Sequence, residues 1–317
     1  MLRFSPVVWF FGAALLARGA TDQNKLTIEH AMLHQSEDGP IVPSDFQFAP
    51  AEIVYFSCQL GGYKKVEKEY EKWEIALTYS VEARDGGGVL LTPEQSEKIA
   101  TSVAAEDKDW MPKIRFSVVV PPFAASGEYK ILVKAKDENS GSEVEGKTVF
   151  TVQGRDVPAS DTLVVRNFRF LRGEEDQKPL ELPAYRPGDM VWGRFDMTGY
   201  KLGEKNRLHV EYGLAVLRPD GETTYSQPRA AEEKSDAFYP QRYTPGVLSL
   251  SLPKDVTQGE YTIVLTVRDN IGGQNSRRRM SSDIFARSNR GSSALPRLYK
   301  KRFTYAGPVH VVFASYR

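Results

Sequence analysis

His30, His34, His209 and His310 are the four imidazoles of this 317-residue chain, and Cys58 is its one thiol. His30 and His34 stand four apart, the spacing that puts two metal ligands on one face of a helix. The residues around them, LTIEHAML, alternate as a strand does, and in a strand that spacing spans roughly 13 Å. Two polar side chains on the solvent side of a strand are therefore expected, and no metal site. Glu106, Asp107 and Asp109 have the chemistry for paired acid–base work, but a run of loop carboxylates reads as solvated. Cys58 lies in IVYFSCQLG with no base placed beside it, so it reads as a buried small hydrophobe rather than a nucleophile. The chain has no G-x-S-x-G elbow, H-E-x-x-H pair, Gly-rich phosphate loop or Asp-rich calcium loop. The expectation is a protein that is not an enzyme, with no catalytic residue, no cofactor and no metal.

One local electrostatic feature stands out. The segment GGQNSRRRMSSDIFARSNRGSSALPRLYKKRF carries Arg277, Arg278, Arg279, Arg287, Arg290, Arg297, Lys300, Lys301 and Arg302 against the single acid Asp283. Rich in Ser, Asn and Gly, it reads as a mobile basic loop insertion over 272–302. Its chemistry suits an anionic envelope polymer or an acidic protein. Nucleic acid is not expected, because aromatic residues for stacking bases are thin there.

The scaffold that positions these residues is doubled. FAPAEIVYFSCQLGGYK at 48–64 recurs as YRPGDMVWGRFDMTGYK at 185–201, an offset of 137. WEIALTYSVEARDGG aligns with LHVEYGLAVLRPDGE at an offset of 135, and FSVVVPPFAASGEYKILVKAKD aligns with LSLSLPKDVTQGEYTIVLTVRD at 132. VFTVQG at 149–154 matches RFTYAG at 302–307. Apolar residues recur every second position between Gly, Pro, Asn and Asp punctuation, the pattern of short strands. DGGG and RPDGE read as hairpin turns. TPEQSEKIATSVAAED at 92–107 is the best helical candidate, with Thr92 as N-cap and Pro93 at the first position. Tyr129 and Tyr261, each after Gly-Glu, fit the tyrosine-corner position of sandwich folds. Trp73, Trp110 and Trp192 are expected in a core or between domains. The fold class is all-β: two tandem immunoglobulin-like antiparallel β-sandwiches after a signal peptide. The boundaries are 1–20 for the signal peptide, 21–154 for the first sandwich and 155–317 for the second.

The leader expectation rests on Arg3, the apolar run Phe4–Leu16 and the small residues Ala17, Gly19 and Ala20, with cleavage after Gly19 or Ala20. No later run reaches the roughly 18 to 20 apolar residues of a spanning helix. Lys plus Arg number 42 against Asp plus Glu 41, so any electrostatic function must be local. One cysteine leaves no disulfide to support an exported fold, and the cores must do so alone. The expected function is an exported, non-catalytic binding or scaffold protein of the cell envelope, periplasmic or extracellular. The alternative is a polysaccharide-acting enzyme or its accessory carbohydrate-binding module.

YRPGDMV, VLRPDGE and LSLPKDVTQGEYTIVLTVRD together resemble the macroglobulin-type β-sandwich repeats of alpha-macroglobulins. The resemblance covers 185–269 well and 48–137 more loosely, with Ala51 in place of the Gly of the Pro-Gly turn. It implies an immunoglobulin-like shape. The thioester Cys-Gly-Glu-Gln element is missing, so it implies no covalent trapping.

Overall fold

The computed structural model of the chain describes residues 25–68, 72–107 and 109–284. The expected leader falls outside them. Nine strands build the first sandwich: β1 Thr27–His34, β2 Gln47–Phe48, β3 Ile53–Gly61, β4 Val66–Lys68, β5 Lys72–Arg84, β6 Gln95–Ala104, β7 Lys113–Val119, β8 Gly127–Asp137 and β9 Glu143–Val152. Eight build the second: β10 Val164–Leu171, β11 Ala184–Tyr185, β12 Met190–Thr198, β13 Leu208–Leu217, β14 Thr223–Ser235, β15 Tyr243–Ser251, β16 Gly259–Asp269 and β17 Gln274–Ile284. In the first, sheet β1-β3-β7 faces β2-β9-β8-β5, with β4 and β6 also paired to β5. In the second, β10-β12-β15 faces β11-β17-β16-β13-β14. Each pair of sheets encloses its own apolar core, Leu26 to Val152 and Leu163 to Ile284. Pairing is antiparallel except for β2 with β9 and β11 with β17, which run parallel over two residues each.

Strand registers fix the correspondence between copies and correct two sequence alignments. Leu77 pairs with Asp137 and Val210 pairs with Asp269, so β5 and β13 match at an offset of 133 rather than 135. A slip of two leaves every side chain on its face, which is why alternation alone does not detect it. Gly127 pairs with Val152 and Gly259 with Ile284, so β17 is the counterpart of β9. The basic segment is therefore a strand over Gln274–Ile284 and not a loop from 272, and the partner-strand place assigned to 302–307 is already filled. The helix expected over 92–107 is also replaced: β6 runs along the edge of β5, ending in a 3-10 turn at Ala105–Asp107. Its inward residues Ile99 and Val103 are four apart, a spacing that a strand and a helix both place on one side.

The repeated Gly-Tyr-Lys closes one end of each sandwich. Gly62 and Gly199 have φ of 66° and 78°, and a Cβ there would stand 2.1 Å and 2.0 Å from the carbonyl oxygens of Lys25 and Thr162. Only glycine meets both demands. Tyr63 and Tyr200 are buried, and their hydroxyls donate to the carbonyls of Trp110 and Gln241. The amides of Lys64 and Lys201 donate to Asp137 and Asp269 at 2.7 and 2.8 Å. These two carboxylates are fully buried and also accept from the β8–β9 and β16–β17 turns: Asn139 N and Ser140 Oγ in one copy, Ile271 N and Gly272 N in the other. A single side chain thus ties the two sheets together. The tyrosine corners form as expected, with Tyr129 and Tyr261 each donating at 3.0 Å to a carbonyl four residues back.

Core volume is distributed oppositely in the two copies. Cys58 faces Ile114 across strands, whereas at the matching positions Phe195 faces Gly246, where a Cβ would lie 2.4 Å from the ring. Likewise Phe56 faces Phe116, and Gly193 faces Leu248. Between the sandwiches, Asp85 accepts from Tyr239 Oη at 2.8 Å and Arg242 at 2.9 Å, and Asp196 accepts from Arg155 at 2.6 Å. Arg155 lies over the ring of Tyr243, which also meets Phe123 edge to face.

Asp269→Ala should leave three buried donors without their acceptor and destabilise the second sandwich by about 2 to 4 kcal/mol. Urea unfolding followed by the fluorescence of Trp192 measures this loss.

Candidate functional site

Strand β17 divides the expected basic cluster between two sides. Arg277 and Arg279 are exposed and stand opposite Thr266 and Val264, on the face of the sheet away from the inward residues Ile263, Leu265 and Val267. Arg278 turns the other way, and its guanidinium donates to the Val165 carbonyl of β10 at 2.7 Å. It closes an open side of the sandwich. Arg287, Arg290, Arg297, Lys300, Lys301 and Arg302 lie outside the described residues.

The outer face brings in two arginines that sequence reasoning missed. Pairing of β13 with β14 jumps from Tyr212–Ala231 to Leu214–Gln227, so residues 228–230 bulge across Gly213, where a Cβ would stand 2.1 Å from the Pro228 oxygen. The bulge is fastened by Arg268, which donates at 3.0 Å to both the Pro228 carbonyl and Glu211, and by Arg229, 2.8 Å from Glu211. Burial opposes ionisation of Glu211, but the Arg268 hydrogen bond and the charges of Arg229 and Arg268 outweigh it and hold the carboxyl below the usual range. Arg277 is the diagonal neighbour of Arg268 across β16 and β17. Four arginines therefore share one sheet face, two of them bound to the buried Glu211, with Asp283 and Glu260 opposite each other at the far end of the sheet. No sequence pattern signals this, because Arg229 owes its place to a bulge.

A second site lies in the first sandwich. His34 is not simply solvated: its Nδ1 is 2.9 Å from the Gly39 carbonyl and its Nε2 is 2.8 Å from Ser57 Oγ. The carbonyl can only accept, so in the neutral ring Nδ1 carries the proton and Nε2 accepts from the Ser57 hydroxyl. These groups line a cleft of about 190 Å3 with Asp38, Tyr55, Gln95 and Arg115. Asp38 binds Lys113 at 2.5 Å and Arg115 at 3.0 Å, so one carboxylate serves two cations.

The remaining candidates have ordinary surroundings. Cys58 is buried, and burial pushes its thiol up to about 12. His30 pairs with Gln59 in a bulge of β1, and His209 with Glu232 and Asn270. Glu106, Asp107 and Asp109 are exposed. Trp110 is 40% exposed, while Trp73 and Trp192 are half-buried outside both cores, so of the core and inter-domain places expected for them the core is not taken. Among the described residues no three His, Cys, Asp or Glu side chains gather as a metal-holding group, and no helix is long and apolar enough to cross a membrane.

No protein-family model matches the chain, and no curated protein matches its sequence. Among solved structures it is similar to the C-terminal domain of the Streptococcus agalactiae antigen I/II polypeptide BspA, at 11% identity over 81% of this chain and 100% of that one, with a TM-score of 0.30. It is also similar to the C-terminal domain of the Streptococcus pyogenes antigen I/II-family protein AspA, at 10% identity over 82% and 99%, with a TM-score of 0.31. Superpositions this loose carry no functional conclusion.

Hydrogen bonds from Arg115 and then Lys113 hold the Asp38 carboxyl at about 2, below its ordinary value near 3.9. Because the folded value is the lower one, the pair's contribution to stability is complete above about pH 4 and is lost as pH falls toward 2. A carboxyl-carbon NMR titration should place the Asp38 midpoint near 2 and, in Arg115→Ala, move it back toward about 3.9.

Proposed function

We propose that the chain is an exported, non-catalytic binding or scaffold protein of the cell envelope that contacts an anionic polymer or acidic protein through the outer face of the second sandwich. The observation that carries this reading is the placement of Arg277 and Arg279, exposed beside Arg268 and Arg229 on one sheet face. Arg229 and Arg268 share Glu211, which orders them without removing the local positive charge. Guanidinium groups on a rigid strand suit phosphate, sulfate or carboxylate partners because their planar forks accept bidentate pairing and lose little freedom on binding. The leader-like start supports export. The kinship with macroglobulin-type sandwiches belongs to the same proposal and concerns shape only.

The test is retention on immobilised heparin, a defined polyanion, across a salt gradient. The double substitution Arg277→Ser with Arg279→Ser should lower the slope of log affinity against log salt by about 2, one for each cation removed. Arg278→Ser, which alters an exposed side chain on the opposite side of the strand that is engaged with the Val165 carbonyl, should leave that slope unchanged. Retention untouched by the paired substitution, but abolished in a chain ending at Ile284, would transfer the site to the residues beyond and overturn this reading.

A further inference from the structure

The two copies provide an internal control for the cleft of the first sandwich. Registers match His34 to Leu171, Tyr55 to Trp192, Ser57 to Arg194 and Arg115 to Val247. In the second copy this surface is packed: Leu171 is 0% and Val247 8% exposed, and Arg194 bonds the Glu174 carbonyl. In the first copy the smaller Ser57 replaces that arginine, polar side chains replace the apolar ones, and about 190 Å3 stays open. The opening is thus a feature of this copy and not a consequence of the fold.

Its chemistry narrows the occupant. Ser57 Oγ gives its proton to His34 and keeps lone pairs to accept a donor. Arg115 spends Nε on Asp38, leaving its terminal amino groups as donors. Gln95 and the Tyr55 hydroxyl each offer both roles, and the Tyr55 ring offers an apolar surface. The Asp38 carboxylate already serves two cations, so a strong anion would have to compete with it. A ligand whose adjacent groups both donate and accept, with an apolar C–H face, matches this set. The volume lies below the roughly 300 to 1,000 Å3 of drug-sized pockets and suits one ring. A second cleft of about 200 Å3 shares Gln95 and Arg115 and continues toward Tyr79 and Glu97.

We propose that this cleft binds one uncharged sugar ring, either a free monosaccharide or the terminal unit of a glycan, with Ser57, Gln95 and Arg115 making the polar contacts and Tyr55 the stacking one. This site is separate from the arginine face and does not depend on it.

The test is a backbone-amide NMR titration of the chain from residue 21 onward with methyl glucoside, methyl galactoside and N-acetylglucosamine, with inorganic phosphate as the anionic control. At least one sugar should give saturable shifts centred on residues 34, 55–57, 95 and 115, with a Kd of about 1 mM, corresponding to about −4 kcal/mol. Ser57→Arg, which installs the second copy's side chain, should weaken binding by about 10-fold or more. Tyr55→Ala and Gln95→Ala give the same reading should Ser57→Arg fail to fold. Heparin retention should be the same in the charge-neutral variants Tyr55→Ala and Gln95→Ala, so this proposal and the arginine face can fail independently. Equal affinity for a monosaccharide and its tetrasaccharide marks a terminal-ring site, and tighter tetrasaccharide binding extends it into the second cleft. No shifts with any of the sugars up to about 100 mM, shifts unchanged in the variants, or saturation by phosphate alone would overturn the proposal.

Discussion

Each half of this molecule depends on one buried carboxylate. Asp137 and Asp269 sit at the end of a strand in the larger sheet, and the amides they bind belong partly to their own hairpin turn and partly to the chain leaving the smaller sheet. Apolar burial holds two sheets together without specifying how far one slides over the other. Directional bonds to a buried charge specify it, and they are about twice as strong as neutral ones. This explains why Gly-Tyr-Lys survives in both copies while most of the surrounding residues differ. The glycine lets the chain pass close to the entry of β1 or β10, the tyrosine anchors the turn, and the next amide reaches the carboxylate.

The same device, a nearly buried acid serving several donors, recurs where the halves meet and where the sheet carries its bulge. Asp85 receives Tyr239 and Arg242 from the second sandwich, and Asp196 receives Arg155 from the segment that joins the two. Removing water from a carboxylate is costly unless donors replace it, so these contacts favour one mutual arrangement of the two sandwiches. Glu211 does likewise for Arg229 and Arg268. The arginine face and the polar cleft therefore sit on a frame with few loose joints.

Strand periodicity, the duplication, the tyrosine corners and the burial of Cys58 were all legible in the sequence, because each follows from a local pattern or from two strings laid side by side. The misreadings have equally definite causes. The β5–β13 alignment slipped by two residues, a displacement to which alternation is blind. Thr92 and Pro93 carry helix-start chemistry, but the unpaired edge of β5 captured the following residues as a strand, so tertiary pairing overrode propensity. The arginine run looked like a loop because its Ser and Asn neighbours resemble linker composition, whereas the register against β16 makes those residues the last strand. Neither site was visible as a motif. One needs a bulge that brings Arg229 back over the sheet, and the other needs a small residue where its twin is large.

That reversal of size also bears on how the chain assembles. Tandem copies of one fold risk exchanging strands while they form, since either half can offer its backbone to the other. Here a crossed pairing would set Phe195 against Ile114, with no room for the ring, or Cys58 against Gly246, leaving a hole at the centre of the core. Both outcomes carry a penalty of a few kcal/mol. Complementary divergence of large and small side chains thus lets each half recognise its own strands, and the chain can carry a duplicated gene's architecture without its kinetic hazard.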